Sequence, residues 1–383
     1  MDALTTPSNW QRVRLGDIAE IIGGGTPSTQ ITPFWNGSIN WFTPTEIGIT
    51  KYVYKSQRTI TPLGLKKSST KLLPIGTILL TSRASIGDCA ILKVVATTNQ
   101  GFQSLIPLEK INNEFLYYLM LTLKNKLLEL ASGSTFLEVS PNKIKNLLIP
   151  LPPLNEQIAI ANVLSDVDRY LYSLRALILK KESVKKALSF ELLSQRKRLK
   201  GFNQNWQRVR LGDIAEIKRG VRITKNELDV FGKYPVVSGG VGFLGYTNNF
   251  NRYENTITIA QYGTAGFVNW QNQKFWANDV CFCVYPNKDV IKNIFLYYFL
   301  KVNQNYLYEI SNRNATPYSI SKDKILDFEI LLPPLNEQIA IANILSALDS
   351  EIISLKNKKR QFDNIKKALN HDLMSAKIRV LKK

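Results

Sequence analysis

Histidine and cysteine are nearly missing from this chain of 383 residues. One histidine, His371, and three cysteines, Cys89, Cys281 and Cys283, leave too few side chains for a zinc site or for histidine-based general-base chemistry. Cys281 and Cys283 stand two apart in the apolar run Val280-Cys-Phe-Cys-Val284, so both thiols share one strand face and are read as buried packing, with no usable disulfide. The chain shows no disulfide framework, no signal peptide at its polar amino terminus and no apolar run of about 18 residues, which predicts a cytoplasmic protein with no membrane span.

Acidic residues are also in deficit. Fifty Lys and Arg face 30 Asp and Glu, a net charge of +20. An excess of that size draws a protein to polyanions, and nucleic acid is the first partner it suggests. A basic balance that only aids solubility is the alternative. The hydrophobic fraction of 44% with 21% charged residues describes a folding chain, and its length predicts two or three domains.

The chain is written twice. Residues 9–21, NWQRVRLGDIAEI, recur without change at 205–217. Residues 151–168, LPPLNEQIAIANVLSDVD, return at 332–349 with three differences, at Ile344, Ala347 and Leu348. Between these ends the middles have diverged, keeping only echoes: Phe115-Leu-Tyr-Tyr118 and Phe295-Leu-Tyr-Tyr298, Pro107 and Pro286, Thr135 and Thr316, Lys143-Ile144 and Lys324-Ile325. A period this long is a tandem domain duplication and not a solenoid.

Within one repeat, Leu15, Ile18, Ala19 and Ile22 follow the i, i+3, i+4, i+7 pattern and predict a short opening helix, ended by a C-cap and flexible turn at Gly23-Gly-Gly25. Thr77–Thr81, Cys89–Leu92, Thr256–Ile259 and Gly266–Trp270 read as strands, and Phe115–Leu130 and Phe295–Ile310 as helices packed on them. Each middle is thus an α/β globule. After Pro152-Pro153, with Asn155 as N-cap, a periodic stripe through Leu164, Val167, Leu171, Leu174, Ile178, Val184, Leu188 and Leu192 predicts a helix over 155–198, roughly 65 Å long. The stripe is kept in the copy, from Leu345 to Leu373.

A helix with one apolar seam needs a neighbour. Connectivity makes the two copies antiparallel, with a globule at each end and a pseudo-twofold axis across the middle. The competing arrangement folds each helix onto its own globule. The fold class is therefore α+β: two α/β globules separated by two long helices forming an antiparallel coiled coil. Identical surfaces related by a twofold suit two copies of one partner, and unlike middles suit two unlike targets, such as half-sites on one face of a duplex.

The W-x-x-V-x-L-G-D-I opening of each repeat, Gly24-Gly-Thr-Pro27 before Trp35 and Trp41, Gly133-Ser-Thr-Phe-x-Glu-Val-Ser140, and L-P-P-L-x-E-Q at the start of each long helix resemble the specificity subunits of type I restriction-modification systems, over almost the whole chain. The resemblance implies a non-catalytic subunit with target recognition domains at 1–150 and 201–331 and spacer helices at 151–200 and 332–383. It also implies a split, asymmetric duplex site, two docked methyltransferase subunits, and translocating restriction subunits in the full complex. No G-x-x-x-x-G-K-[ST] phosphate loop and no Asn-Pro-Pro-Tyr type methyltransferase motif is present. S-adenosylmethionine and ATP are then expected on the partner subunits, with no cofactor, metal or catalytic residue here. A two-headed scaffold binding protein or RNA is the alternative function.

Sequence reading comes from polar loop residues on a rigid frame. The candidates are Thr26, Thr43, Thr45, Ser82, Arg83, Ser85, Asn99 and Gln100 in repeat one, with Arg83 suited to guanine and Asn99 or Gln100 to adenine. Repeat two offers Arg222, Gln261, Tyr262, Thr264, Arg313 and Asn314, with Tyr262 standing where repeat one has Arg83. For any one of them a solvated or locally capped polar residue is the competing reading. Leu154, Glu156, Gln157, Leu335, Glu337 and Gln338 are the candidate methyltransferase docking surface, against a helix cap plus core packing. Basic residues crowding the distal halves of the helices, among them Lys181, Lys185, Arg198, Lys356 and Lys366, read either as solvated faces or as sequence-blind steering of spacer DNA.

Overall fold

The computed structural model describes residues 7, 9–133, 137–314 and 316–380. Thr135 and the middle of the Gly133–Ser140 motif lie outside them. The chain forms two compact units, Met1–Leu174 with Lys358–Lys383, and Arg175–Asn357.

The opening motif of each repeat is strand, turn and strand, not a helix: Gln11–Arg14, Leu15–Asp17 and Ala19–Gly23 in one, Gln207–Arg210, Leu211–Ile214 and Ala215–Arg219 in the other. The helical spacing of Leu15, Ile18, Ala19 and Ile22 was ambiguous, because Ala19 and Ile21 are buried on either side of exposed Glu20, the period of a strand. The single turn between the strands is closed when Asp17 Oδ2 accepts from the Arg14 amide at 3.2 Å, and Asp213 Oδ2 from the Arg210 amide at 3.3 Å.

In the first unit a five-stranded sheet runs in the order Ala19–Gly23, Gln103–Pro107, Ile78–Leu80, Cys89–Leu92, Tyr52–Val53. The second unit has Ala215–Arg219, Cys281–Pro286, Thr256–Ala260, Val268–Gln271. A three-stranded sheet accompanies each, and both keep one parallel pairing, Trp41 opposite Thr97 and Val237 opposite Ala277. The expected helices appear as Asn113–Thr122 with Lys124–Leu130, and Asn293–Val302 with Gln304–Ile310. Their Phe115, Leu116 and Leu119, and Phe295, Leu296 and Leu300, are buried in the cores with Ile78 and Ile91, and with Ile257 and Val268. Cys281 and Cys283 share one strand face, against Phe275 and Ala277, while Phe282 between them enters the main core.

The long helices are Leu154–Leu193 and Leu335–Met374, 40 residues each. They stop short of the expected end because the chain turns through left-handed Gln195 (φ 61°) and its twin Ala376 (φ 58°), a common way to leave a helix. In the first unit Glu156, Asp168 and Tyr170 meet Arg379, Lys366 and Phe362 in that order, so the helices run antiparallel. In the second unit Glu337, Asp349 and Glu351 meet Arg198, Lys185 and Lys181, again antiparallel. Leu164, Leu171, Leu174, Ile178 and Leu192 are buried as the stripe requires, as are Leu345, Ile352 and Leu373; each fully buried leucine contributes about 2 kcal/mol. Val184 and Ile365 depart from it, 45% and 50% exposed, because the adjacent Lys185 and Lys366 turn inward to their aspartates.

By length and composition alone the second long helix is apolar enough to cross a membrane, with an 18-residue window of mean hydropathy 1.3. Part of that apolar content is core: Ile341, Ala342 and Leu345 are buried in the second unit.

Candidate nucleic-acid interface

In the first unit backbone bonds draw separate loops into one cluster. The strand Ala19–Gly23 leads into Gly24 and Gly25, where side chains have no room: a Cβ on Gly24 would stand 1.9 Å from the Asn99 carbonyl oxygen, and one on Gly25 2.2 Å from Ser69 Oγ. These glycines serve close approach and not a helix cap, since no helix precedes them. The Gly25 amide donates to Thr98 O at 2.9 Å, which sets Thr26 beside Gln100, and the two side chains bond at 2.5 Å. Asn99 N donates to Phe42 O at 3.0 Å, Ser82 N to Gly101 O at 2.8 Å and Val139 N to Ser82 O at 3.1 Å. Thr26, Thr43, Ser82, Arg83, Asn99 and Gln100 thus come from loops tied to one another.

Several are committed within the chain. Thr43 Oγ1 donates to Glu46 Oε2 at 2.8 Å and lies 3.0 Å from Thr45 Oγ1, from which it can then only accept, so it caps a local turn and is half-buried where Thr45 is exposed. Ser82 is 1% exposed and cannot meet a base without a rearrangement; its Oγ has no partner among the described residues. Arg83 Nη2 lies 2.7 Å from Glu138 Oε2, a half-exposed ion pair. Ser85 is bound through its carbonyl, which accepts from Thr81 Oγ1 at 2.5 Å. The Asn99 side chain is turned on its own loop, accepting from Gly101 N at 2.9 Å.

The second unit repeats the frame with other side chains. Asn278 N donates to Val237 O, Gln261 N to Val280 O and Ile320 N to Gln261 O, each at 2.9 Å, matching the bonds of Asn99, Ser82 and Val139. The left-handed residue at Ala84 (φ 56°) is Gly263 (φ 77°). Arg83 pairs by a bridge with Glu138, and Tyr262 in the same manner with Ser319. Position for position, then, Thr26 is replaced by Arg222, Ser82 by Gln261, Arg83 by Tyr262, Ser85 by Thr264 and Glu138 by Ser319. Gln261, like Ser82, leaves a buried polar atom, Oε1, without a partner among the described residues. Thr264 is held by Gly239 O at 2.6 Å, whereas Arg222, Arg313 and Asn314 are exposed.

The docking candidates need correction. Glu156 and Gln157 are 2% and 1% exposed, Glu337 and Gln338 wholly buried, and all four serve the joint between globule and helix. Glu156 accepts from Trp10 Nε1 at 3.1 Å and from Arg379 Nε and Nη2 at 2.6 and 2.9 Å. Glu337 accepts from Trp206 Nε1 at 3.0 Å and from Arg198 Nε and Nη2 at 3.2 and 2.6 Å. Gln157 bonds Asn112 N, Lys110 O and Pro152 O, and Gln338 bonds Lys292 N, Val290 O and Pro333 O. A carboxylate so enclosed has nothing left to offer a partner protein. The available surface is Leu154 with Ile158, 45% and 41% exposed, and half-buried Leu335 with Ile339, 44% exposed, beside exposed Asn155, Asn162, Asn336 and Asn343. Ile158 and Ile339 were missed by sequence reasoning; their i, i+4 spacing from Leu154 and Leu335 was the available signal.

A second joint was also missed. Tyr118 Oη donates to Asp168 Oδ2 at 2.6 Å, and Asp168 pairs with Lys366; Tyr298 Oη donates to Asp349 Oδ2 at 2.7 Å, and Asp349 pairs with Lys185. Burial, then the neighbouring aspartate, pushes the Tyr118 phenol well above its ordinary value, and burial is again the leading cause at Tyr298, so both rings remain donors. In the first unit Lys51 joins, its Nζ 2.9 Å from Tyr118 Oη and Ser165 Oγ, and burial lowers its pKa against the pull of Glu114. Lys185, Lys366 and Arg198 are therefore engaged in these joints and are not free for DNA, while Lys181 and Lys356 pair with Glu351 and Glu182. Among the described residues no group of three or more His, Cys, Asp or Glu side chains is placed to hold a metal ion.

The profile of the type I restriction modification DNA specificity domain matches residues 7–182 and again residues 203–362. The chain is 36% identical over 242 residues to the MjaIX type I restriction enzyme specificity subunit of Methanocaldococcus jannaschii, covering 58% of this chain and 55% of that one. It is 37% identical over 161 residues to the EcoR124I/EcoR124II specificity subunit of Escherichia coli, 40% of each. These alignments span about half of the relatives' lengths or less. The putative MjaX specificity subunit of M. jannaschii aligns over 98% of this chain and 95% of its own length at 28% identity. Among solved structures, the type I restriction-modification S subunit from M. genitalium superposes with a TM-score of 0.68 at 21% identity, covering 98% of this chain and 97% of that one. The HsdS subunit from Thermoanaerobacter tengcongensis gives 0.55 at 19% identity, covering 97% and 98%. At such identities the likeness is one of fold.

Proposed function

This chain belongs to the family of type I restriction-modification DNA specificity subunits, and from that premise we propose that its two globules read the two unlike halves of a bipartite duplex site while its repeated helix faces seat two methyltransferase subunits. One observation carries the reading. The same backbone frame presents Thr26, Arg83 and Glu138 in one unit and Arg222, Tyr262 and Ser319 in the other, whereas the exposed faces around Ile158 and Ile339 are the same in sequence. Unlike loops suit unlike base sequences, and like faces suit two copies of one protein. A net charge of +20 supplies the sequence-blind attraction to the duplex.

In this proposal the chain carries no chemical step. Methylation and cleavage belong to partner subunits, restriction and translocation subunits among them in the full complex. A cytoplasmic home, in keeping with three free thiols, is part of the same proposal. The test is copurification with a methyltransferase followed by genome-wide mapping of methylated adenines. Ile158→Asp should remove one methyltransferase copy and Ile158→Asp with Ile339→Asp both, with duplex binding by the chain intact. Adding four residues to both long helices should lengthen the gap between the half-sites. Unchanged stoichiometry and unchanged sites would sink the assignment.

A further inference from the structure

We propose that Arg313 is the guanine-reading residue of the second globule, with Tyr308 and Tyr318 holding its guanidinium in the reading pose. Resting on the duplex-reading function above, the inference names the base class and the group that recognises it. Asn312 N donates to Ser319 O at 2.6 Å and Ser319 N to Asn312 O at 3.1 Å, which fixes the base of the loop that carries Arg313. Gly263 N donates to Tyr318 O at 3.0 Å, so this loop is joined to the Tyr262–Thr264 loop of the same cluster.

Arg313 itself is tethered at three points. Its Nε donates to Tyr308 O at 2.9 Å, and its guanidinium carbon lies 5.4 Å from the Tyr308 ring centre and 5.3 Å from that of Tyr318. Nη1 and Nη2 have no partner among the described residues, and the site is open, with Tyr318 45% exposed. A guanidinium fixed through Nε and two rings presents two parallel donors at little conformational cost. That is the donor pattern that matches O6 and N7 of guanine in the major groove.

The other arginines of the two clusters do not meet this description. Arg83 already has Nη2 on Glu138, so half of its fork is used and its charge is compensated. Arg222 is exposed and has no partner among the described residues, the condition of a side chain suited to phosphate rather than to one base edge. In the first globule the place of Arg313 is taken by Gly133 at φ 145°, a conformation in which an arginine would be strained. Its flanking positions there are Leu128 and Leu137, 44% and 55% exposed, where the second globule has its two tyrosines. The geometry thus assigns a fork to one half-site and an apolar surface to the other.

The test is selection from a pool of random-sequence duplexes by the full chain, comparing wild type with Arg313→Ala, Arg313→Lys and Arg83→Ala. Wild type should enrich a two-part motif. Arg313→Ala should lose the preference for one G·C pair in one half-site by roughly tenfold or more, leaving the other half as it was. Arg313→Lys should show the same loss while binding non-specific duplex as wild type does, because charge without a fork cannot read the pair. Arg83→Ala should leave that pair alone. Thermal melts of the variants should coincide with wild type, since Arg313 is at the surface. Equal weakening on every duplex, or an unaltered motif from Arg313→Ala, would overturn the inference while leaving duplex reading in place. A wild-type chain that enriches no motif would instead overturn the duplex reading itself.

Discussion

The joints and the loops of this molecule have had opposite histories since the repeat arose. Trp10, Glu156 and Arg379 recur as Trp206, Glu337 and Arg198 with donor distances from 2.6 to 3.2 Å, and Tyr118, Asp168 and Lys366 recur as Tyr298, Asp349 and Lys185. In the loops the exposed candidates change, Thr26 to Arg222, Arg83 to Tyr262 and Glu138 to Ser319, while residues that shape the backbone, such as Gly24 and Gly220, are kept. The physical difference is burial. A carboxylate enclosed by an indole N–H and a guanidinium cannot change alone, because its partners would be left with unmet charge and donors. An exposed loop side chain can change at a cost within about 0.5 kcal/mol. Stability therefore holds the joints fixed and leaves the loops open to whatever target they meet.

The comparison can be broken most sharply at the enclosed carboxylates. Glu156→Ala and Glu337→Ala should each lower stability by about 3–5 kcal/mol in urea unfolding, by strandings of Arg379 and Arg198 that are alike. A tolerated change at either would show that the two joints are not equivalent. Next in size, Tyr118→Phe and Tyr298→Phe each remove one bond to a carboxylate and should cost about 1.5–3 kcal/mol. Tyr118→Phe should be the costlier, because it also takes an acceptor from Lys51, whereas among the described residues no lysine bonds Tyr298 Oη. At the small end, Val184→Ser and Ile365→Ser should shift the melting midpoint by no more than the equivalent of about 0.5 kcal/mol, although both sit on the apolar stripe. A larger loss would return them to the seam.

The frame was legible in the sequence because repetition carries information that periodicity lacks. The two long helices, their antiparallel sense and the strands Thr256–Ala260 and Cys89–Leu92 follow from patterns written across many residues. The opening segment is a strand where its spacing predicts a helix, because a few apolar residues over eight positions do not separate the two periods until pairing with Gln103–Pro107 decides. Glu156 and Gln157 suggest a docking surface because they recur as Glu337 and Gln338, but recurrence fits a repeated internal joint equally well, and burial decides for the joint. The partners of Glu156 are Trp10 and Arg379, 146 and 223 residues away, and Gln157 reaches Asn112 and Lys110, 45 and 47 residues away, distances no local pattern spans. Arg198 and Arg379 did carry a signal, since each stands at the same offset past its own helix. The candidate loop residues were found as a group but not ranked, because ion pairs such as Arg83 with Glu138 are set by tertiary contact.

Arg379 also bears on how the protein is made. The unit it completes is interrupted: its first stretch ends at Leu174 and its second begins at Lys358, with the whole of the other unit synthesised between. At about 5–20 residues per second, a ribosome needs on the order of ten seconds or more to cover that gap. Until then Glu156 is a carboxylate awaiting its guanidinium, and Trp10 is clasped from one side only. The earlier-born globule is thus the later one to mature, and a prematurely terminated product would emerge with its first half unfinished.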